Sequence, residues 1–331
     1  MLEKFAFDAR WIGQHGIGRF AFETSKRIEF GHLYKSEKNP AAPLSSIYLG
    51  KWFKTSKAEV LFSPGYIPPI FVKKPFCFTI HDLNHLDLPY NSSPLKRAFY
   101  QTVIKPAIKS SFKVLTVSEF SKKRIIEWTN CPADKIEVVS NGTSSNFTPF
   151  AKPQKYNTPY IFCCSNRKGH KNEKRLFQAF SQCSAKSDLS LVMTGEADSE
   201  TTLILNHLKL DGRVYFTGKL SEENLASWYR GAVASIFPSI YEGFGLPVIE
   251  SMAVGTPAII ANAASLPEVG GTAAYYFDPF DIDSISQAID TVTYDELLKK
   301  TMSSSGLAQA KNFSWDRTAA LVSNALTSLH C

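Results

Sequence analysis

Short apolar runs alternate with longer amphipathic stretches along the second half of the chain. The apolar runs predict strands at 159–165, 189–194, 213–217, 233–237, 257–261 and 273–277. The amphipathic stretches predict helices at 172–185, 199–209, 221–230, 247–255 and 281–290. Strands that alternate with helices in this way are typical of a parallel sheet with helices on both faces, as in Rossmann-like folds.

The first half shows the same alternation less regularly. It predicts strands at 4–8, 45–49, 59–62, 76–80, 113–118 and 136–139, and helices at 19–30, 94–110 and 119–129. An Asn141-Gly142 turn and prolines at 149 and 153 indicate a linker. We therefore predict one domain over 1–150, a second over 151–313, and a final helix over 314–331 that packs back towards the first domain. The expected fold class is α/β, with two doubly wound Rossmann-like domains facing across a cleft.

Composition and charge narrow the possible functions. The chain has 331 residues, 44% of them hydrophobic and 20% charged, which excludes disorder, and it holds no apolar stretch long enough to span a membrane. The net charge of +7 comes from the first half, where residues 1–150 carry 21 Lys and Arg against 12 Asp and Glu. Residues 151–331 carry 16 against 18. Such asymmetry suggests an anionic partner, either nucleic acid or an acidic membrane surface.

The arrangement of the basic residues and of the cysteines restricts the partner and the compartment. The lysines of the first half are scattered and form no known nucleic-acid-binding motif, so we expect no nucleic acid partner. The first ten residues carry charges and no apolar segment, which argues against a secretory signal. No cysteine pair has Cys-x-x-Cys spacing, as expected for reduced thiols. We therefore expect a cytoplasmic protein without a structural metal.

The stretch 237–257, FPSIYEGFGLPVIESMAVGTP, carries the most chemical information. A predicted strand ends there, a loop with Gly243 and Gly245 follows, and Pro247 stands at the start of a predicted helix. Glycines before a helix N-terminus let backbone N–H groups approach an anion, and the helix dipole favours negative charge there. Glu242 and Glu250 flank this phosphate cradle. Two carboxylates beside a diphosphate could accept hydrogen bonds from a sugar at one end and from a ribose at the other.

EGFGLPVIE resembles the E-x7-E motif of glycosyltransferase family 4, the retaining enzymes of the GT-B fold that use nucleotide-sugar donors. The resemblance is closest to bacterial mannosyltransferase-type members that build polysaccharides. It implies that Glu242 contacts the sugar as a catalytic residue and that Glu250 binds the donor ribose. It also implies that the backbone of the loop binds the donor diphosphate, through Gly243, Phe244, Gly245 and Leu246.

A second block, YIFCCSNRKGHKNEKRLFQAF over 160–180, resembles the Arg-x-x-x-Lys-Asn segment of the same family. The resemblance implies that Arg167 and Lys171 neutralise the diphosphate leaving group, which develops negative charge during transfer. The family often has glycine where this chain has Ser165, so close backbone approach at that turn is in question.

Two blocks in the first half also match. FTIHDLNHLDLP over 78–89 places His81 and Asp82 directly after a predicted strand, and the resemblance implies that His81 contacts the transferred sugar while Asp82 orients it. GIGRF resembles a family turn in which Gly16 and Gly18 allow close approach of the backbone to the donor or acceptor. His15 lies in the same turn as a weaker candidate.

The resemblance implies transfer of a hexosyl group from a nucleoside diphosphate sugar to a hydroxyl of a glycan or lipid-linked acceptor, with retention and without a cofactor or metal. A GDP-sugar such as GDP-mannose is favoured, with a UDP-sugar next. The alternative is a nucleotide-sugar epimerase of the same fold. The stretch 94–113 mixes lysines with aromatic and aliphatic residues, so it is either an amphipathic helix on the first sheet or a contact with the inner face of an anionic membrane.

Overall fold

The computed structural model describes residues 2–13, 16–184 and 188–330, without the side chains of residues 2 and 330. His15 and the last residue of the predicted helix 172–185 lie outside these residues. The chain divides into two compact units, one formed by residues 1–142 and 315–331 and the other by residues 143–314. The division lies at Gly142–Thr143 rather than at 150–151. Residues 143–150 group with the second unit because Thr143 pairs with Ser314 and Phe147 packs on the ring of Tyr229.

The first unit contains six strands in one parallel sheet. Its strands are β1 Leu2–Asp8, β2 Phe30–Tyr34, β3 Val60–Ser63, β4 Phe76–Thr79, β5 Lys113–Thr116 and β6 Ile136–Val138. They lie in the order β2-β1-β3-β4-β5-β6. The helices are α1 Gly16–Arg27, α2 Ser45–Thr55, α3 Asn84–Asp87, α4 Pro94–Phe99, α5 Lys105–Ser110, α6 Glu119–Thr129 and α14 Trp315–Thr327. A π-helical turn, Tyr100–Ile104, joins α4 to α5, so the helix predicted over 94–110 is confirmed as one continuous helical segment.

The second unit repeats this architecture. Its strands are β7 Tyr160–Cys163, β8 Ser190–Met193, β9 Val214–Phe216, β10 Ala234–Phe237, β11 Ala258–Ala261 and β12 Tyr275–Phe277. They form a parallel sheet in the order β12-β11-β10-β7-β8-β9. The helices are α7 Glu173–Gln182, α8 Ser199–His207, α9 Glu222–Gly231, α10 Leu246–Ala253, α11 Leu266–Gly270, α12 Ile282–Tyr294 and α13 Glu296–Ala310. The predicted α/β class with two doubly wound sheets is confirmed.

Two predictions for the first half are wrong. Residues 45–49 form the first turns of α2 instead of a strand, because Ser45, Leu49 and Phe53 recur at a spacing of four and are all buried on one face. Residues 19–30 are not all helical, since α1 ends at Arg27 and β2 begins at Phe30. β2 escaped prediction because its side chains are only half-buried or exposed, as expected for an edge strand.

Candidate active site

The loops that carry most of the predicted site residues lie at the switch point of the second sheet. β7 and β10 are parallel neighbours, with Ala234 opposite Ile161 and Ser235 opposite Phe162. The chain continues from β7 to β8 on one side and from β10 to β11 on the other. Because successive connections leave in opposite directions, a crevice opens beyond the carboxyl ends of these two strands, where doubly wound sheets bind ligands.

The two loops are tied to each other across this crevice. The N–H of Ile240 donates to the carbonyl of His170 at 2.8 Å. The ammonium of Lys171 lies 2.5 Å from Oε1 of Glu242, and the two side chains are only 11% and 17% exposed. The fully buried hydroxyl of Ser265 lies within 2.9 Å of the Glu242 carbonyl. The structure therefore brings Lys171 and Glu242 together as a largely buried ion pair.

Burial and attraction act in opposite directions on this pair. Burial by itself raises the pKa of Glu242, but the attraction of Lys171 and hydrogen bonds from Lys171 and Ser239 outweigh it, so the pKa lies below its ordinary value. Burial lowers the pKa of Lys171, and Glu242 more than restores it, so that pKa lies above its ordinary value. The contribution of this ion pair to the free energy of unfolding is complete between the ordinary pKa of a glutamate and the ordinary pKa of a lysine. It is lost when pH falls through the lowered pKa of Glu242 or rises through the raised pKa of Lys171.

The N-terminus of α10 faces the same crevice through the predicted glycine loop. Gly245 has a φ of 116°, and a Cβ there would lie 2.8 Å from Cδ2 of Leu266, so both conformation and space require glycine. No side chain caps the helix, and Pro247 in its first turn has no N–H to satisfy. The backbone amides at the start of α10 are therefore suited to bind an anion.

The guanidinium of Arg167 has partners other than this ion pair. Its Nη2 lies 2.5 Å from the hydroxyl of Thr201 in α8 and 3.2 Å from Oε2 of Glu173. It also stacks over the ring of Phe216 in β9, with its carbon 4.9 Å from the ring centroid. These contacts lie on the β8–β9 side of β7, whereas Lys171 is paired on the β10 side. The two predicted diphosphate ligands therefore have different partners in the protein, Thr201 and Glu173 for Arg167 and Glu242 for Lys171.

The side chain of Ser165 forms hydrogen bonds within the turn after β7. Its hydroxyl accepts a hydrogen bond from the N–H of Arg167 at 3.1 Å and donates to Glu173 at 2.5 Å. Its own N–H donates to the hydroxyl of Thr194 at 2.9 Å. The hydroxyl therefore supports the turn from within, a role that glycine could not supply.

Glu250 lies in α10 close to two groups that sequence reasoning did not single out. Burial and, after it, the neighbouring Glu250 charge raise the pKa of the Cys164 thiol to about 11. Burial likewise raises the pKa of Tyr229, with contributions from Cys164 and Glu250. Glu250 is itself half-buried, and its charge is close enough to the Cys164–Tyr229 contact to contribute to both raised pKa values. Cys164 lies in the block 160–180 without a predicted role, and Tyr229 lies in no motif. The packing of Tyr229 in α9 against Phe162 of β7 brings it to this place.

His81 follows β4 of the first unit after a single residue, Ile80. Its Nε2 lies 2.9 Å from the carbonyl of Pro64, and its ring packs edge-on against Phe20. Because a carbonyl only accepts, Nε2 carries the proton and Nδ1 is the acceptor nitrogen of the neutral ring. Burial lowers the pKa of His81 to about 4, partly offset by the Pro64 contact. At neutral pH the imidazole is therefore uncharged.

Asp82 interacts with groups other than those that contact His81. Its Oδ1 accepts from the N–H of Asn84 at 2.9 Å at the start of α3. Its charge contributes, after burial, to raising the pKa of Tyr66 and of Tyr100. Asp82 therefore shapes the surroundings of these two tyrosines.

The low pKa of His81 predicts acid destabilisation of the first unit. A histidine of ordinary pKa near 6.5 in the unfolded chain and about 4 in the folded one binds more protons when unfolded. Its contribution is full above pH 6.5 and is lost as pH falls towards 4, which amounts to about 2 kcal/mol at pH 5. Urea unfolding between pH 8 and pH 5 should show this loss in the wild type and a smaller one in His81→Asn. The same pH dependence in both proteins would contradict the assignment.

The glycines predicted to form the N-terminal turn lie inside α1 instead. The helix begins at Gly16, so both Gly16 and Gly18 belong to its first turn. A Cβ on Gly18 would lie 2.9 Å from the backbone of Gly13, whose N–H donates to the Gly18 carbonyl at 3.3 Å. Close packing of the chain on itself accounts for Gly18, while the space around Gly16 is open.

An ion pair that the sequence did not predict stands at the end of β1. Asp8 is fully buried, and both of its carboxylate oxygens lie 2.7 Å from the guanidinium of Arg10, whose side chain is 2% exposed. Arg10 also donates to Ser45 at 2.7 Å and stacks over Tyr34. Burial raises the pKa of Asp8 more than Arg10 lowers it. This pair joins β1, β2 and α2 at the carboxyl edge of the first sheet.

The helical segment 94–110 packs its apolar residues inward. Tyr100, Ile104, Ala107 and Ile108 are all at most 4% exposed and belong to the core of the first unit. The alternative of an amphipathic helix lying on the first sheet therefore describes this part of the segment. Leu95, at its start, is 80% exposed.

Two general features of the site concern metals and membranes. Among residues 2–13, 16–184 and 188–330, no three His, Cys, Asp or Glu side chains come together as a metal site requires. None of the helices in that part of the chain is both long enough and apolar enough to cross a bilayer.

Comparisons with known proteins agree with this architecture. Residues 7–147 match the family model described as Glycosyltransferase Family 4, and residues 145–308 match Glycosyl transferases group 1. O-antigen chain mannosyltransferase B of Escherichia coli is 30% identical over 261 residues, covering 75% of this chain and 68% of that protein. The serotype-specific mannosyltransferase WbdA of Escherichia coli is 26% identical over 257 residues, or 72% of this chain and 31% of WbdA. The structure of Anabaena HepE with UDP and glucose superposes with a TM-score of 0.79 at 16% identity, covering 98% of this chain and 99% of that one.

Proposed function

This chain belongs to glycosyltransferase family 4 and is a glycosyltransferase of the GT-B fold, and we propose that it transfers a mannosyl or related hexosyl group from a nucleoside diphosphate sugar, with retention of configuration. The acceptor is a hydroxyl of a glycan or of a lipid-linked glycan. The observation that carries the proposal is the buried Lys171–Glu242 pair beside the uncapped N-terminus of α10, at the switch point of the second sheet.

The charges of this crevice suit a diphosphate that leaves during transfer. The backbone amides of Gly243, Phe244, Gly245 and Leu246 and the ammonium of Lys171 supply positive charge where the leaving group gains negative charge. Glu242 holds the ammonium in place before the donor binds. Glu242 can then accept hydrogen bonds from sugar hydroxyls while the diphosphate takes over part of the attraction to Lys171.

The remaining predicted residues take roles that follow from their chemistry. Glu250 is a half-buried acceptor suited to the two hydroxyls of a ribose. His81, neutral with an acceptor at Nδ1, suits a sugar hydroxyl. Nη2 of Arg167 is engaged by Thr201 and Glu173, whereas its buried Nη1 has no hydrogen-bond partner in the described part of the chain, so we propose that Arg167 shares the charge stabilisation with Lys171.

The relatives support bacterial surface polysaccharide synthesis as the setting and mannose as the first sugar to test. We propose GDP-mannose or a related GDP-sugar as donor, with a UDP-sugar next. We further propose that transfer proceeds without an added divalent cation, at the inner face of the membrane. Initial rates of transfer that are unchanged after treatment with EDTA would support transfer without a divalent cation. A rate that is lost with EDTA and recovered only with added Mg²⁺ would contradict it.

A donor panel tests the proposal directly. A bound donor at about 100 times its dissociation constant should stabilise the protein by ~2.7 kcal/mol, which a thermal-shift series of GDP-, UDP-, ADP- and CMP-sugars would detect. Glu250→Ala should lose most of this shift because its carboxylate no longer binds the ribose. Glu223→Ala, which changes an exposed glutamate of α9, should retain it and is the matched control.

Three results would separate the possible reactions. Mannose transfer to a glycan acceptor supports the proposal. A new nucleotide sugar formed from donor alone would indicate an epimerase instead. If Glu250→Ala and Glu223→Ala gave the same shift, the donor site would lie elsewhere.

A further inference from the structure

An apolar cavity of about 400 Å³ lies within the first unit, outside the candidate active site. It is enclosed by the loop before α2, the loop after β3 and the beginning of the helical segment 94–110. Its lining is mainly aliphatic and aromatic and includes Leu44, Ile67, Ile70, Leu95, Phe99 and Val103. Its volume is within the range of small-molecule sites in proteins and would hold a hydrocarbon chain of about a dozen carbons.

Two of the polar groups in the lining are already engaged by the protein. Nδ1 of His85 lies 3.1 Å from the hydroxyl of Tyr100. The hydroxyl of Ser45 accepts from Arg10 at 2.7 Å. The buried hydroxyl of Ser46 also lines the cavity and has no hydrogen-bond partner in the described part of the chain. A sugar ring buried here would lose more hydrogen bonds to water than this hydroxyl could replace, and each unmade bond would weaken binding. An apolar chain has no such requirement, so the cavity favours hydrocarbon.

The mouth of the cavity is formed by exposed apolar side chains with basic side chains beside them. Leu44 and Leu95 are 59% and 80% exposed, and Leu44 adopts a φ of 65°, which is uncommon for a bulky residue. Two large apolar side chains at the mouth of an apolar cavity indicate that something apolar passes between them. Lys96 lines the same opening, with its ammonium 2.7 Å from the Asn91 carbonyl, and Arg97 beside it is exposed.

The closed end of the cavity lies near a negative charge, in contrast to the basic mouth. Tyr66 and the buried Tyr100 form it, and the Asp82 carboxylate is close enough to both to contribute to their raised pKa values. A negatively charged head group is therefore disfavoured at the closed end and favoured at the mouth, beside Lys96 and Arg97. A ligand that fits both ends has an apolar chain and an anionic head, and it enters chain first.

We propose that this cavity binds the hydrocarbon chain of an anionic lipid phosphate that carries the acceptor glycan, with the phosphate held at the mouth beside Lys96. The proposal rests on the glycosyltransferase function proposed above, in the form that uses a lipid-linked acceptor. It assigns recognition of the lipid carrier to the first unit, where the stretch 94–113 meets the loop before α2 and the loop after β3.

A series of n-alkyl phosphates from six to sixteen carbons, each below its critical micelle concentration, tests the proposal by titration calorimetry. Each added methylene that enters the cavity should tighten binding about fourfold, the equivalent of ~0.8 kcal/mol. The gain should stop near twelve carbons, when the cavity is full. n-Alkyl alcohols of the same length should bind more weakly, because they lack the charge that Lys96 and Arg97 attract.

Two variants and one control locate the site. Leu95→Gln should weaken dodecyl phosphate binding about fivefold to tenfold, since it removes an apolar contact at the mouth. Leu297→Gln, at a leucine 76% exposed in α13 of the other unit, should change nothing. Val103→Trp should fill the cavity and shorten the chain length at which the gain stops. Should Val103→Trp fail to fold, the comparison of Leu95→Gln with Leu297→Gln still decides.

Several results would overturn the proposal. One is an affinity that does not depend on chain length, and another is an equal effect of the two glutamine variants. A third is binding to phosphatidylglycerol vesicles without binding to monomeric alkyl phosphates, which would indicate a membrane surface instead. Transfer to a water-soluble glycan, measured in parallel, distinguishes failure of the lipid site from failure of the proposed function, because it needs the donor site and not the cavity.

Discussion

Replacing Lys171 with alanine is expected to lower kcat/KM for sugar transfer by about 10²–10³-fold. The ammonium is the positively charged side chain that the structure holds in the crevice beside α10, and loss of one preorganised donor to a developing negative charge typically has an effect of this size. Steady-state kinetics with a saturating acceptor would measure the loss. Lys168→Ala changes an exposed lysine of the same loop and should leave the rate near that of the wild type.

The same substitution should also destabilise the second unit. Without Lys171, the carboxylate of Glu242 is left largely buried and unpaired, and breaking one partner of a buried pair typically costs about 3–5 kcal/mol. Lys174 and Glu200 form a pair at the same 2.5 Å distance on the surface, with side chains 67% and 68% exposed. Lys174→Ala should cost less than about 1 kcal/mol.

Urea denaturation of Lys171→Ala and Lys174→Ala measures the loss in the free energy of unfolding for each. The comparison isolates the effect of burial, because the two ion pairs have the same length. Lys171→Met/Glu242→Gln removes both charges and should recover most of the stability but none of the lost activity. If the double variant regained transfer, the pair would have only a structural role. If Lys171→Ala and Lys174→Ala were equally stable, the pair in the crevice would not be buried in solution.

Replacing Asp8 with alanine is expected to destabilise the first unit by about 3–5 kcal/mol. Arg10 would keep its contacts with Ser45 and Tyr34 but lose the carboxylate that balances its charge in a site with almost no exposure. The matched control is Glu59→Ala, which removes the exposed pair between Lys4 of β1 and Glu59 just before β3 and should cost less than about 1 kcal/mol.

A double substitution separates the charge of Arg10 from its packing. Asp8→Leu/Arg10→Leu removes the whole buried pair and should be more stable than Asp8→Ala alone, because no charge is left unbalanced. Chemical denaturation monitored by tryptophan fluorescence would follow the first unit through Trp11, which packs on Tyr66 next to this pair. A double variant less stable than the single one would show that the hydrogen bonds of Arg10 matter more than the charge balance.

The parts of the site that the sequence predicted are those coded by short, local patterns. The stretch 234–253 is confirmed as a strand, a glycine loop and a helix, because Gly245 and Pro247 each have a local conformational reason to stand there. His81 stands just after a strand, as predicted, because the apolar run before it leaves little ambiguity.

Short local patterns did not predict which partners the side chains of Arg167 and Lys171 bind. Arg167 and Lys171 are four residues apart in one loop, yet they bind different partners. This difference depends on the left-handed conformation of Arg167, with a φ of 62°, and on partners that come from α7, α8, β9 and the loop after β10. Those partners are between 6 and 71 residues away in sequence, so no local pattern contains them all.

The sequence by itself determined the alternation of strands and helices, the family, the loops that carry Glu242, Lys171 and His81, and the helix that carries Glu250. It could do so because hydrophobic periodicity and turn residues act over a few neighbouring positions. Only the tertiary structure decided that Lys171 pairs with Glu242, that Asp8 and Arg10 are buried together, and that an apolar cavity opens beside Leu95. Each of these depends on burial, which sets the strength of a charge and the affinity of an apolar surface, and burial is a property of the packed chain.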